Sequence, residues 1–295
     1  MRLVCVVMVV WVKVASAQVA DLGHRLPGGI GLDAGSQADQ GLYIGDRVAW
    51  FASDTVKNRS GATVPIPGFD LDAYAEVLGV TGVVRIGSVY AGMGFAVPVA
   101  RISVSADQPQ ASVDRFGLAD TLLEPLRVGA RLHRCDVVAA YSLYVPTGQI
   151  AQQGVGRPQW AHQISAGGTV FGDDHRGLRA SALASYVINH RKLDIDIRRG
   201  DTFQIQGGAG TRILRIVDLG VAGYALWQVT DDTGSALPAP LRGTRERAFG
   251  LGPELDVALP PLASRLTARF EWDLDGRARP IGTILVVGIT VVGAR

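Results

Sequence analysis

From Arg265 to Leu274 the chain alternates without a fault. Leu266, Ala268, Phe270, Trp272 and Leu274 fall on one side, and Arg265, Thr267, Arg269, Glu271 and Asp273 on the other. Successive side chains of a strand point to opposite faces, so this segment is a strand with one apolar and one charged face. The two faces need different surroundings. In an outer-membrane barrel the apolar face meets lipid and the polar face an interior lumen. Twelve such strands are expected, near 41–53, 70–80, 89–104, 117–132, 136–146, 160–171, 177–190, 201–213, 217–230, 247–259, 263–274 and 281–292. Segment 177–190 sets Leu178, Ala180, Ala182, Ala184, Tyr186 and Ile188 against Arg179, Ser181, Ser185 and Asn189. Segment 117–132 is less regular, because Asp120 and Glu124 share a face with Leu122 and Leu126, and the last segment is apolar on both faces.

The connections alternate as well. Stretches 55–69, 105–116, 147–159, 190–200 and 231–245 are long. Those at 80–88, 133–135, 172–176, 213–217 and 260–261 are short, and 275–280 is intermediate. Long outer loops and short periplasmic turns are the habit of outer-membrane barrels, and a soluble sandwich has no reason for this regularity. Hydrophobic residues make up 47% of the chain and the mean hydropathy is +0.20, yet beyond the N-terminus no apolar run is long enough for a membrane helix. The expected fold is therefore all-β, a transmembrane antiparallel up-and-down barrel of about 12 strands. The aromatic share of 7% is low for a barrel with two full aromatic girdles.

Residues 1–17 read as a secretory signal peptide. Arg2 precedes the apolar run 3–12, and Ala15-Ser16-Ala17 is a small-x-small cleavage pattern before Gln18. Residues 18–40 form an irregular leader and 41–295 the barrel. Cleavage removes Arg2 and Lys13 from the 29 basic residues, leaving 27 against 27 acidic ones and a formal net charge of zero. Such a chain has no electrostatic argument for nucleic acid. Of the two cysteines only Cys135 remains after cleavage, so no intramolecular disulfide is expected.

Several segments together resemble the bacterial family named for the meta pathway of phenol degradation, a group of outer-membrane β-barrel transporters. They are His24-Arg25-Leu26-Pro27-Gly28-Gly29, Gly31-Leu32-Asp33-Ala34-Gly35-Ser36, Tyr144-Val145-Pro146-Thr147-Gly148, Val221 to Asp232, Arg242 to Glu254, Arg269-Phe270-Glu271-Trp272 and Arg279-Pro280-Ile281-Gly282. The resemblance implies a barrel that passes small hydrophobic or aromatic compounds inward. It brings no catalytic residues and no cofactor. It also implies outer-membrane lipid, lipopolysaccharide and the barrel assembly machinery as partners. Barrels of this kind usually end in an aromatic residue, whereas this chain ends Val291-Val292-Gly293-Ala294-Arg295.

Function is expected in the lumen. Arg265, Arg269, Glu271 and Asp273 should face inward, with Glu254 and Asp256 on the neighbouring strand, either narrowing a pore or forming a structural ion-pair ladder. A barrel of about twelve strands is too wide for side chains alone to fill it. The leader, with His24, Arg25 and Asp33, is the candidate plug, since Pro and Gly suit an irregular path inside a cavity. Other chemistry is thin. The sequence has no Gly-x-Ser-x-Gly and no His-Glu-x-x-His, and its five His lack metal-ligand spacing. No catalytic, cofactor or metal residue is expected. Asp173-Asp174-His175 reads as a turn rather than a metal site, and Gly207-Gly208-Ala209-Gly210 as a bend or close packing rather than a phosphate loop. A structural, non-transporting barrel is the first alternative. A barrel lipid hydrolase using His162 and Ser165 is the second.

Overall fold

In the computed structural model, residue 24 and residues 27–108, 110–150 and 155–293 are described. The expected signal peptide lies outside them. Fourteen strand segments follow in order: β1 (Gly41–Lys57), β2 (Thr63–Val64), β3 (Asp70–Ile86), β4 (Val89–Asp107), β5 (Gln110–Leu118), β6 (Thr121–Arg131), β7 (Cys135–Val145), β8 (Ala161–Phe171), β9 (Arg179–Asn189), β10 (Thr202–Ile213), β11 (Val217–Gln228), β12 (Arg247–Leu259), β13 (Ser264–Arg277) and β14 (Arg279–Val292). Each barrel strand pairs antiparallel with the next, and β14 pairs with β1 from Tyr43↔Val292 to Lys57↔Arg279, which closes the wall. The closure leaves no free edge in lipid, where an unpaired backbone group is costly.

β5 and β6 are two parts of one wall strand. Val89–Ala96 of β4 pair with β6, and Val99–Asp107 pair with β5. The wall therefore has twelve strands, and one of them is interrupted at Ala119 and Asp120. This explains the irregular segment 117–132. A bulge between Leu123 and Leu126 resets the parity, so that Leu126 is 52% exposed on the outer face while Glu124 stays inside. The connection expected at 105–116 is mostly strand, because β4 and β5 continue as a hairpin to Asp107 and Gln110.

β7, β8 and β9 have 11 residues each, about the length a tilted strand needs to span a bilayer. β1, β3 and β4 are far longer, at 17, 17 and 19 residues. The outer face carries Leu42, Ile44, Leu78, Met93, Phe95, Leu285, Val287 and Ile289, all exposed as lipid contact requires. Aromatic residues gather outside at the long-loop rim. Trp50, Phe116 and Trp272 are exposed there, and Trp227 lies 6.0 Å from Phe203 and 5.4 Å from Phe249. A modest aromatic share thus supplies a belt at this rim. β14 is apolar on both faces because Leu285 and Val287 meet lipid while Ile284 and Val286, each 1% exposed, meet an apolar part of the lumen.

Candidate lumen site

Polar side chains are among the most buried in the molecule: Asp136, Gln206 and Glu271 at 1%, and Gln159 at 0%. They line the lumen from β7 round to β13, and the leader lies on them. Four of its backbone amides are satisfied by side chains of the wall, while those of Ala34 and Ser36 close local turns on the carbonyls of Gly31 and Asp33. Ile30 N donates to Gln206 Oε1 (3.3 Å), Leu32 N to Glu254 Oε2 (3.0 Å), Gly35 N to Ser181 Oγ (2.7 Å) and Gln37 N to Asp136 Oδ2 (3.1 Å). A buried irregular segment needs such partners, because its amides have lost water.

Close approach is made possible by glycine. Leu32 is fully buried, and Cβ atoms added at Gly208, Gly210 and Gly220 would stand 3.0, 3.1 and 2.7 Å from its Cδ2. The glycines of β10 and β11 are the floor on which Leu32 sits, the close packing the sequence suggests for 207–210. Gly35 lies equally close to Gly168, whose carbonyl oxygen would be 2.2 Å from an added Cβ.

Toward the short-turn end, Asp33 of the leader joins the wall through two guanidiniums: Arg179 Nε at 3.1 Å and Arg265 Nη1 at 2.5 Å. The same two reach Asp218, Arg179 at 3.1 Å and Arg265 at 2.9 Å. Arg265 also holds Asp256 at 2.8 Å, and Arg212 holds Asp218 at 2.8 Å. Three arginines and three aspartates balance, which lets Arg179, Asp218 and Asp256 stay buried among half-buried partners. Below them Arg131 pairs with Asp39, and Arg176 with the buried Asp136. A second group stands higher on β12 and β13. Arg269 Nε donates to Glu254 Oε2 at 2.9 Å, and its Nη1 donates to the carbonyl of Gly28. Asp273 accepts from Tyr224 Oη and from Gly282 N (3.0 Å), whereas Glu271 has no hydrogen-bond partner.

Thus all six lumen residues read from the sequence occur in two clusters, each in contact with the leader. His24 is also buried, with Nδ1 2.8 Å from Asp120 Oδ2 at the strand interruption and its ring stacked on Tyr144 at 4.8 Å. Arg25 lies outside the described residues. The sequence reading missed Arg179, Asp218, Asp136, Asp120 and Arg47. Arg179 and Asp218 were visible in principle, since each occupies the polar parity of an alternating strand.

The other side of the lumen is different. β1, β3, β4, β6 and β14 line a cavity of about 450 Å³ with small and apolar side chains such as Ala49, Ala75, Val77, Ala96, Pro98 and Val286. The leader forms one boundary through Gly29 and Ile30, and Arg47 Nη1 donates to the carbonyl of Gly29 at 2.5 Å. Toward the long-loop end an apolar cluster includes Phe51 and Leu71 (both 0% exposed), Val104, Ile284 and Phe69, the last brought in by the loop after β2.

The remaining sequence candidates have local roles. His162 faces outward, with Nδ1 2.6 Å from Tyr141 Oη, whereas Ser165 faces inward against Ser185 Oγ at 2.9 Å. The two lie on opposite faces of β8 and cannot act as a nucleophile–base pair. Asp173 caps the β8–β9 turn, and the amides of Gly177 and Leu178 hold its carboxyl below the usual carboxylate range. Arg134 does the same to Asp174. Among the described residues, no group of three or more His, Cys, Asp and Glu side chains is placed to hold a metal ion.

Comparison with known proteins sets this geometry in context. The model of the family described as "Putative MetA-pathway of phenol degradation" matches residues 53–287. No curated protein matches the sequence. Among solved structures, the chain is similar to the COG4313 outer membrane channel from Pseudomonas putida F1, with a TM-score of 0.75 and 15% identity, covering 88% of this chain and 98% of that one. It is also similar to the transport unit of the autotransporter AIDA-I from Escherichia coli, with a TM-score of 0.54 and 8% identity, covering 88% and 92%. At these identities the likeness concerns the fold.

Proposed function

The chain belongs to the MetA-pathway phenol-degradation family, and we propose on that premise that it is an outer-membrane channel passing small hydrophobic or aromatic compounds inward. The observation that carries this reading is the cavity beside the seated leader, lined mainly by small apolar side chains with Arg47, Asp120 and Glu124 among them. Its alanines and valines offer dispersion contacts and little hydration, which suits an apolar solute better than an ion. The leader is then a plug. It occupies the polar half of a lumen too wide to be filled by side chains, and leaves the apolar half as the route.

On this reading residues 1–17 direct export, and the barrel assembly machinery inserts the chain among outer-membrane lipid and lipopolysaccharide. The long-loop end faces outside. The two charged clusters are the seat of the plug rather than a selectivity filter, since all their charges but that of Glu271 are spent on one another and on the leader.

The test is uptake of small aromatic compounds by cells with and without the protein, together with single-channel recording of the purified barrel. Selective uptake at low ion conductance is the expected result. Absence of uptake at any expression level would contradict the reading and favour a structural barrel.

A further inference from the structure

The upper charged cluster does not balance. Glu254, Glu271 and Asp273 meet Arg269 and Arg279, three acids against two guanidiniums, with Tyr224 as the remaining titratable group from β11. Arg269 is committed to Glu254 and to the carbonyl of Gly28. Asp273 holds the Tyr224 hydroxyl and the Gly282 amide, and Arg279 Nε donates to the carbonyl of Pro280 at 3.2 Å. Glu271 is 1% exposed, and neither of its oxygens has a hydrogen-bond partner. Its partner on β14 is Ile284, and Gly252 of β12 lies against its backbone, so neither neighbouring strand offers it a donor there.

The leader sits directly on this carboxyl. Gly28 has φ +74°, and a Cβ added there would stand 1.9 Å from Glu271 Oε2. Only a glycine lets the backbone pass so close in that conformation. The seated leader thus covers an acid that no donor reaches and whose neighbouring guanidinium, Arg269, is already bonded to Glu254 and to the leader. An ionised carboxylate in such a place would be a buried, unpaired charge, which proteins avoid. The residues here make no metal cage. One proton removes the excess charge and needs no further ligand.

We propose that Glu271 binds a proton when the leader is seated and loses it when the leader lifts, so that the plug is a proton-controlled gate. The inference rests on the plug reading above. Lifting the leader uncovers the carboxyl and lets it ionise, so alkaline conditions favour release and acid favours seating. One coupled proton limits the shift in the released-to-seated ratio to about tenfold per pH unit.

The test is planar-bilayer recording between about pH 5 and about pH 9, a range in which an unperturbed carboxyl is already ionised. Wild type, Glu271→Gln and a chain lacking residues 24–36 are compared. Open probability should rise with pH in wild type, by up to about tenfold per unit. It should stay low and flat in Glu271→Gln, and be high and flat without the leader. Infrared spectra of the folded barrel supply an independent readout, since the carbonyl stretch of an undissociated carboxylic acid should be present in wild type and missing in Glu271→Gln. A flat wild-type profile, a Glu271→Gln profile that keeps the wild-type slope, or no such band overturns the proposal. If deleting the leader leaves conductance unchanged while the band is present, the plug reading fails and the gate fails with it, although the proton stays.

Discussion

The two sides of the lumen solve the same problem differently. From β7 to β13 the inner wall is charged and amide-rich, and the leader lies against it with its own amides satisfied by Gln206, Glu254, Ser181 and Asp136. Across β1, β3, β4 and β14 the inner wall is mostly small and apolar, with Arg47 the charged exception against the leader, and it leaves a cavity of about 450 Å³. The difference teaches where each half can change. Buried charges in a balanced network cannot be removed singly without leaving a partner exposed to low dielectric. Small apolar walls tolerate added volume because there is space to receive it.

That contrast can be broken or sharpened by substitution. The largest effect is expected from Arg179→Ala. It leaves Asp33, Asp218 and Asp256 short of a cation, which should cost about 3–5 kcal/mol and lower the urea midpoint of the heat-modifiable folded band on gels. A midpoint equal to wild type would mean that the network is idle. Leu32→Ala comes next. It empties the glycine floor of β10 and β11 and should weaken leader docking by roughly 3 kcal/mol, seen as more frequent openings in bilayers with the barrel still folded. Ala75→Phe acts on the opposite side. It should cut uptake of aromatic compounds several-fold while leaving the urea midpoint unchanged. Unchanged uptake would show that the cavity is not on the route.

Asp174→Asn, in the exposed turn after β8, is expected to do least. Arg134 holds this carboxyl below its ordinary range, so any stabilisation is present at neutral pH and is lost as pH falls through the carboxylate range. Because the pair is exposed, no change in urea midpoint between wild type and Asp174→Asn should be measurable at neutral pH.

Much of this was legible in the sequence. Alternation marks most of the twelve strands, because a wall between lipid and a polar lumen imposes period two along them, while the irregular 117–132 and the doubly apolar last segment rest on the rhythm of the connections. The same parity turns Arg265, Arg269, Glu271 and Asp273 inward. The strand interruption was not legible, since alternation carries no sign of where a strand pauses. Asp120 looks like a misplaced charge until His24 is beside it. Leu126 looks inward until the bulge is counted. Nor could the sequence divide the lumen into two halves. Ala75, Val77 and Val286 follow the same two-residue rhythm as outward residues do, and only closure of the wall brings them together. Arg47 follows Asp46 in β1 and reads as part of a local charged pair, and the carbonyl of Gly29 that it reaches carries no signal in a side-chain pattern.

The most direct test of the account is the single-channel conductance of the full chain against a chain lacking residues 24–36, recorded from purified barrels that both show heat-modifiable migration. If the leader fills the polar half of the lumen, the shortened chain should conduct ions strongly while the full chain conducts weakly. Equal conductance from the two folded barrels would contradict the division of the lumen into a plugged polar half and an apolar route.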